Sequence, residues 1–330
     1  MDTGPPPTSE PPGRPGRPGR PGLRTFTLEG RAAPGLFLVG WLCTIMGFGL
    51  VIVGGLADPG PVKTLVFAIG LALLAIGLVA GAGSQALDRR ARGEAYTGPS
   101  PFLAFAAVIP LTFLAALIVF RPLVALGLRA DAPLATLIGI TIQALVYIAV
   151  VRLLVIGPGA LRWSEMGLRR RAGEIPLDIA RGAVLALPVL FATVLVAALL
   201  VALLGTRPES PLPPASNTVD LLLNLVSAAV VAPIGEEVFF RAFATTAWAR
   251  TYGVTRAIVQ GGLVFALAHV LTVNTVDFSE GSRQALIAFG ARVPVALALG
   301  WLFLGRRSIY ASFGLHSAFN AIALLLSQLP

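Results

Sequence analysis

Glu236 and Glu237 stand side by side in one apolar stretch, ValAlaProIleGlyGluGluValPhePheArgAla, and Arg241 follows the second carboxylate by one helical turn. The chain's two histidines, His269 and His316, occupy two further apolar stretches, and Asn320 lies one turn beyond His316. Ionisable groups in segments long enough to cross a membrane are costly unless they are paired, hydrated or functional. A set of this kind suits hydrolysis. A carboxylate and a neutral imidazole sharing a water can take its proton as it attacks a carbonyl, and a second imidazole with an amide can donate to the developing oxyanion. Alternatively, Glu236, His269 and His316 form a two-histidine, one-carboxylate set able to hold Zn²⁺ with a position open for water. The residues alone allow a zinc site or none.

Helical spacing divides the labour. Glu237 and Arg241 share a face and can neutralise each other, which leaves Glu236 on a neighbouring face free to work. Pro233 removes a backbone hydrogen bond and predicts a kink near the carboxylates. Phe265 sits one turn before His269 and can pack on its ring, and His316 shares a face with Asn320. At 1.5 Å per residue, Glu236 and His269 lie about 20 Å from the cytoplasmic ends of their spans and His316 about 12 Å, so one cavity in the cytoplasmic half can collect them. Taken singly, a membrane Glu is also a structural ion pair, a His an interhelical hydrogen bond and an Asn helix glue. Their coincidence points to a site. Arg152 and Arg292 are read apart from it, the first snorkelling at a span end and the second marking an outer extension of its span.

Positioning these side chains requires membrane helices. The chain is 56% hydrophobic and 12% charged, with a mean hydropathy of +0.83, which places it among polytopic membrane proteins rather than soluble ones. The expected fold is an all-α transmembrane bundle of about nine spans, with eight as the alternative. The spans fall near 34–56, 62–83, 101–120, 133–156, 182–204, 219–249, 256–272, 284–304 and 308–328. Cys43 lies alone in the first, so neither a disulfide framework nor a cysteine metal site is expected. The net charge of +9 reflects basic residues spread over short loops; membrane topology explains it, and no nucleic-acid partner is expected. Lys and Arg gather on the amino-terminal side of alternate spans, which predicts a cytoplasmic amino terminus, in the plasma membrane, among membrane lipids.

Four regions follow. Residues 1–33 form a Pro/Gly/Arg-rich arm, expected to be disordered, whose arginines suit an anionic lipid surface. Residues 34–156 form an accessory four-helix membrane region without deep acidic groups. Residues 157–181, with TrpSerGluMetGlyLeu before Arg169, Arg170 and Arg171, form a loop expected along the cytoplasmic interface. Residues 182–330 carry the unusual chemistry.

The motifs Glu236-Glu237-Val-Phe-Phe-Arg241, Phe265-Ala-Leu-Ala-His269 and His316-Ser-Ala-Phe-Asn320 occur in that order on separate spans. In this the chain resembles the CPBP or Abi family of intramembrane proteases, which includes the CAAX prenyl proteases of the Rce1 type. The resemblance covers roughly residues 160–328, with Gly167 to Arg169 similar to the family's approach to its core. It implies that Glu236 and His269 activate water, that His316 and Asn320 stabilise the oxyanion, and that Glu237 and Arg241 shape the site. Ala242 departs from the glycine that commonly follows the motif arginine, and the four amino-terminal spans exceed the family core. A prenylated substrate does not follow from the resemblance. The leading expectation is an endopeptidase cutting a peptide or membrane-protein substrate. The alternatives are a non-proteolytic immunity or scaffold protein using the same cluster structurally, and a proton-coupled transporter with Glu236 as relay, which the absence of a visible repeat disfavours.

Overall fold

In the computed structural model, residues 27–168, 172–206, 212–273, 275 and 277–328 are described. Their regular structure is entirely helical. Nine long helices follow one another: α1 (Pro34–Leu56), α2 (Pro61–Ala91), α3 (Pro101–Ala125), α4 (Pro133–Ile156), α5 (Ala172–Leu204), α6 (Thr218–Tyr252), α7 (Val254–Val270), α8 (Phe278–Arg306) and α9 (Ile309–Leu326). Eight are long and apolar enough to cross a membrane, and α7, at 17 residues, is shorter. The chain is therefore a polytopic helical bundle and an integral membrane protein. The expectations for residues 1–26, for Arg169, Arg170 and Arg171, and for Arg207 lie outside the described residues.

Each of the first four helices starts on a proline, Pro34, Pro61, Pro101 and Pro133, where the missing N–H has no intrahelical partner to lose. The later helices α6 and α8 are capped by side chains instead: Asn217 accepts from the Asp220 amide at 3.0 Å and Asp277 from the Glu280 amide at 2.6 Å. Several helices outrun their hydropathy boundaries, α5 and α2 by the most at one end. The helix of α5 begins at Ala172 rather than at 182, because buried Asp178 is paired with Arg306 at 3.4 Å, so a charge that reads as loop is satisfied at the end of the bundle. Likewise α2 continues to Ala91, with Asp88 paired to Arg31 at 3.2 Å.

Ion pairs and hydrogen bonds collect the basic loops at one end. Besides Arg31–Asp88 and Arg306–Asp178, Arg90 donates to the Pro158 carbonyl at 2.6 Å and Arg250 meets Glu165 at 2.9 Å. The hydrogen bond from Arg250 holds the Glu165 carboxyl below the usual carboxylate range. Loop 157–168 does not simply lie along the surface. Leu161 and Met166 are fully buried among core residues, and the Gly167 carbonyl accepts from the Ile309 amide at 3.3 Å at the start of α9.

Tight helix contacts use glycine. A Cβ on Gly40 would come within 2.9 Å of the Gly81 backbone nitrogen, and one on Gly47 would strike the Leu74 backbone, so α1 and α2 touch backbone to backbone. The largest apolar cluster lies elsewhere, around Phe239, Phe240 and Phe243 of α6, Phe265 of α7, Phe303 of α8 and Tyr147 of α4. It surrounds the candidate site.

Candidate active site

The helix carrying the two glutamates is not a regular α-helix throughout. Residues Ser227–Val231 and Glu237–Thr245 are π-helical, flanking the α-helical turn Ala232–Glu236 that contains Pro233. Proline lacks the N–H and clashes with the carbonyl one turn back, and wider π turns absorb the misfit while leaving carbonyls unpaired. The helix stays continuous instead of breaking. Its freed carbonyls find partners on α9: Asn320 Nδ2 donates to the Ala228 carbonyl at 2.8 Å, and Ser317 Oγ to the Ala229 carbonyl. Within a membrane such groups have to be satisfied by neighbouring helices. A proline in α6 thus fixes the helix that bears His316.

Two further close approaches set the frame. A Cβ on Gly182 of α5 would run into the Ala311 carbonyl of α9, and one on Gly314 into the Ile179 carbonyl, so α5 and α9 cross in direct backbone contact just before His316. On the other flank, a Cβ on Gly235 would lie 2.6 Å from the Ala144 Cα, which brings α4 flush against the turn holding Glu236.

The expected side chains come together in two layers. Glu237 and Arg241 are buried, with Arg241 Nε 3.6 Å from Glu237 Oε1. The guanidinium lies over the Phe265 ring, 4.0 Å from its centroid, a favourable placement for a cation held away from water. His316, also buried, bridges the layers: Nδ1 is 2.9 Å from Glu237 Oε1 and Nε2 is 3.5 Å from Glu236 Oε2. Glu236 is 15% exposed against 1% for Glu237, so it is the more accessible of the two carboxylates. The straight-helix depths had separated Glu236 and His316 by about 9 Å. The structure closes that gap because the last turns of α6, carrying Trp248 and Arg250, reach beyond the point where α9 begins.

His269 stands near the end of α7, half-buried. Its Nδ1 is 2.9 Å from the Phe265 carbonyl, which can only accept, so Nδ1 carries the proton and Nε2 keeps its lone pair. Phe265 packs on both imidazoles, with ring centroids 4.7 Å from His269 and 5.6 Å from His316. Asn320 is half-buried, and its described hydrogen bond goes to Ala228 rather than to either glutamate or histidine. Among the described residues, no group of three His, Cys, Asp or Glu side chains is arranged to hold a metal ion. Both ring nitrogens of His316 already face carboxylates and Nδ1 of His269 faces its own helix, so the set Glu236, His269 and His316 is not gathered as a ligand shell.

Sequence reasoning missed four contributors. Tyr147 of α4, buried, packs on Phe239 and Phe240 at 4.9 and 5.6 Å. Gly182 and Ser317 position α9. Arg292, read as marking an outer extension of its span, sits in the middle of α8 and couples to Glu236 and His269. The hydropathy window misplaced it by starting the span at 284, whereas capping by Asp277 starts the helix earlier. Ser317 did leave a signal, since a proline within a span implies unpaired carbonyls about a turn earlier and a small polar residue on a neighbour to meet them.

The bundle thus buries a Glu/Arg pair beneath a glutamate that is 15% exposed, two imidazoles and an amide, groups that are able to carry hydrolysis. Residues 218–322 match the family model described as type II CAAX prenyl endopeptidase Rce1-like. The match contains all three motifs and begins at the first residue of α6, leaving α1 to α5 outside it. The match covers about a third of the chain, as a likeness of this region to that family, in line with the resemblance that the motifs carry. No curated protein and no solved structure matches the chain.

Proposed function

We propose that the protein is an intramembrane endopeptidase that hydrolyses a peptide bond of a membrane-associated protein or peptide. The observation that carries this reading is the convergence of three separate helices on His316, which lies between Glu236 and Glu237 and shares the Phe265 ring with His269. Glu236 and the unprotonated Nε2 of His269 act on a water in the cavity. The water gives up its proton to this pair, its oxygen bonds to the carbonyl carbon, and the proton passes to the leaving amine as the C–N bond breaks. The second N–H of Asn320 and an N–H of His316 receive the oxyanion. Glu237 and Arg241 hold the His316 ring from behind. The loops gathered at the basic end support a cytoplasmic amino terminus.

Purified protein in liposomes is to be offered a prenylated CAAX-ended peptide and an unprenylated transmembrane peptide, with fragments identified by mass spectrometry. Cleavage of either that disappears in a folded Glu236→Gln variant is the expected result; undiminished cleavage by that variant rules the assignment out. Activity measured with and without chelator decides whether a metal takes part. A second reading, a non-proteolytic immunity or scaffold protein, is favoured by the use of Asn320 and Ser317 as caps on α6 carbonyls. Full cellular function of a Glu236→Gln/His269→Ala double variant supports that reading over the first.

A further inference from the structure

We infer that Arg292 forms a carboxylate-binding subsite beside His269 that holds an anionic group of the bound peptide. The inference deepens the peptidase reading and rests on it for the identity of the ligand.

Three observations place the guanidinium on the inward face of α8, beside the last turn of α7. Along α8, Ala296, Leu299 and Phe303 follow Arg292 at helical spacing, and all three are buried against the bundle, so Arg292 extends an inward face by one turn. The register between α7 and α8 is antiparallel: a Cβ on Gly262 would touch Leu297 and one on Gly300 would touch Ile258. Continuing that register away from the basic end brings Arg292 level with the last turn of α7, where His269 stands. The titratable groups coupled to it are Glu236 and His269.

Among the described residues no hydrogen bond or ion pair reaches this guanidinium. Arg241, the other deep arginine of this half, has Glu237 within ion-pair distance and an aromatic ring beneath it. Arg292 has Glu236 nearby but beyond that distance. A cation in the middle of a membrane helix, half-buried and without an ion-pair partner among the described residues, is poised for an anion that arrives with the ligand. The planar fork of donors on arginine matches a carboxylate bidentately. Lipid phosphates stay at the membrane surface, away from mid-helix. A peptide offers carboxylates at its chain terminus and on acidic side chains, and either meets the same fork.

The test uses the detergent-solubilised full chain and three acetylated tripeptide probes. One contains alanine and two leucines with a free carboxyl terminus, the second is its terminal amide, and the third is the amide with the central leucine replaced by glutamate. Calorimetry is expected to show the first or third probe binding about tenfold more tightly than the second, with the preference lost in Arg292→Gln. The first probe responding alone identifies the chain terminus, and the third alone identifies a side chain. No preference in the unaltered protein, or a preference that survives Arg292→Gln, overturns the subsite. Should Arg292→Gln fail to fold, Arg292→Lys decides, since loss of the fork is expected to weaken the preference and an unchanged preference overturns it. Hydrolysis of membrane peptides without any carboxylate preference defeats the subsite alone; preference without hydrolysis defeats the peptidase reading alone.

Discussion

Arg241 and Glu237 show how a buried pair is both a cost and a constraint. Their attraction at 3.6 Å compensates the desolvation of two groups that are 2% and 1% exposed, and removing one leaves the other uncompensated. Arg241→Ala is expected to destabilise the protein by about 3–5 kcal/mol, and the combined change Glu237→Gln/Arg241→Met to recover most of that loss, as read by thermal unfolding in detergent. Hydrolysis is expected to stay impaired in the double variant, because the acceptor 2.9 Å from His316 Nδ1 loses its charge. At this scale the sequence was nearly sufficient. Residue type and a four-residue spacing announced Glu237 with Arg241 and Phe265 with His269. The partnership of His316 with both glutamates was not legible, since it depends on how far α6 projects past α9.

At the scale of elements, the site is held by backbone contacts more than by side chains. Gly182 and Gly314 let α5 and α9 cross at the distance that puts His316 beside Glu236. Gly182→Ala places a methyl against the Ala311 carbonyl, and α9 has to shift to accommodate it. We expect a fall in activity of about tenfold or more with the helical content unchanged, measured as kcat and circular dichroism on the same preparation, because misplacement of reacting groups by about 1 Å is that costly. Nine apolar stretches could be counted from hydropathy alone, because all but the one that forms α7 are long and apolar enough to cross a membrane. The π segments around Pro233 could not, since an i+5 pattern leaves no trace in polarity. Nor could the extension of α5 back to Ala172, where Asp178 owes its helical place to an arginine on α8.

For the whole molecule, the boundary that composition draws after residue 181 is not the boundary of the site. Residues of α4, from the region read as accessory, press against α6 at Gly235 and add Tyr147 to the aromatic cluster. Tyr147→Ala is expected to cost about 3 kcal/mol or more through the cavity it leaves. It should also lower hydrolysis, although Tyr147 lies outside the segment that matches the family. Equal activity and stability in that variant would separate α4 from the site. The first two helices, joined by their glycine faces, stand further off.

The brevity of α7 bears on how such a centre obtains its reactant. Seventeen residues extend about 25 Å, some 5 Å less than the hydrocarbon thickness of an ordinary bilayer. A stretch too short for its surroundings can be met by local thinning of the bilayer, and His269 stands on the last turn of this helix. Thinning at that end would shorten the path for bulk solvent into the lipid interior, so that supply of the nucleophile would depend on helix length as well as on polar lining.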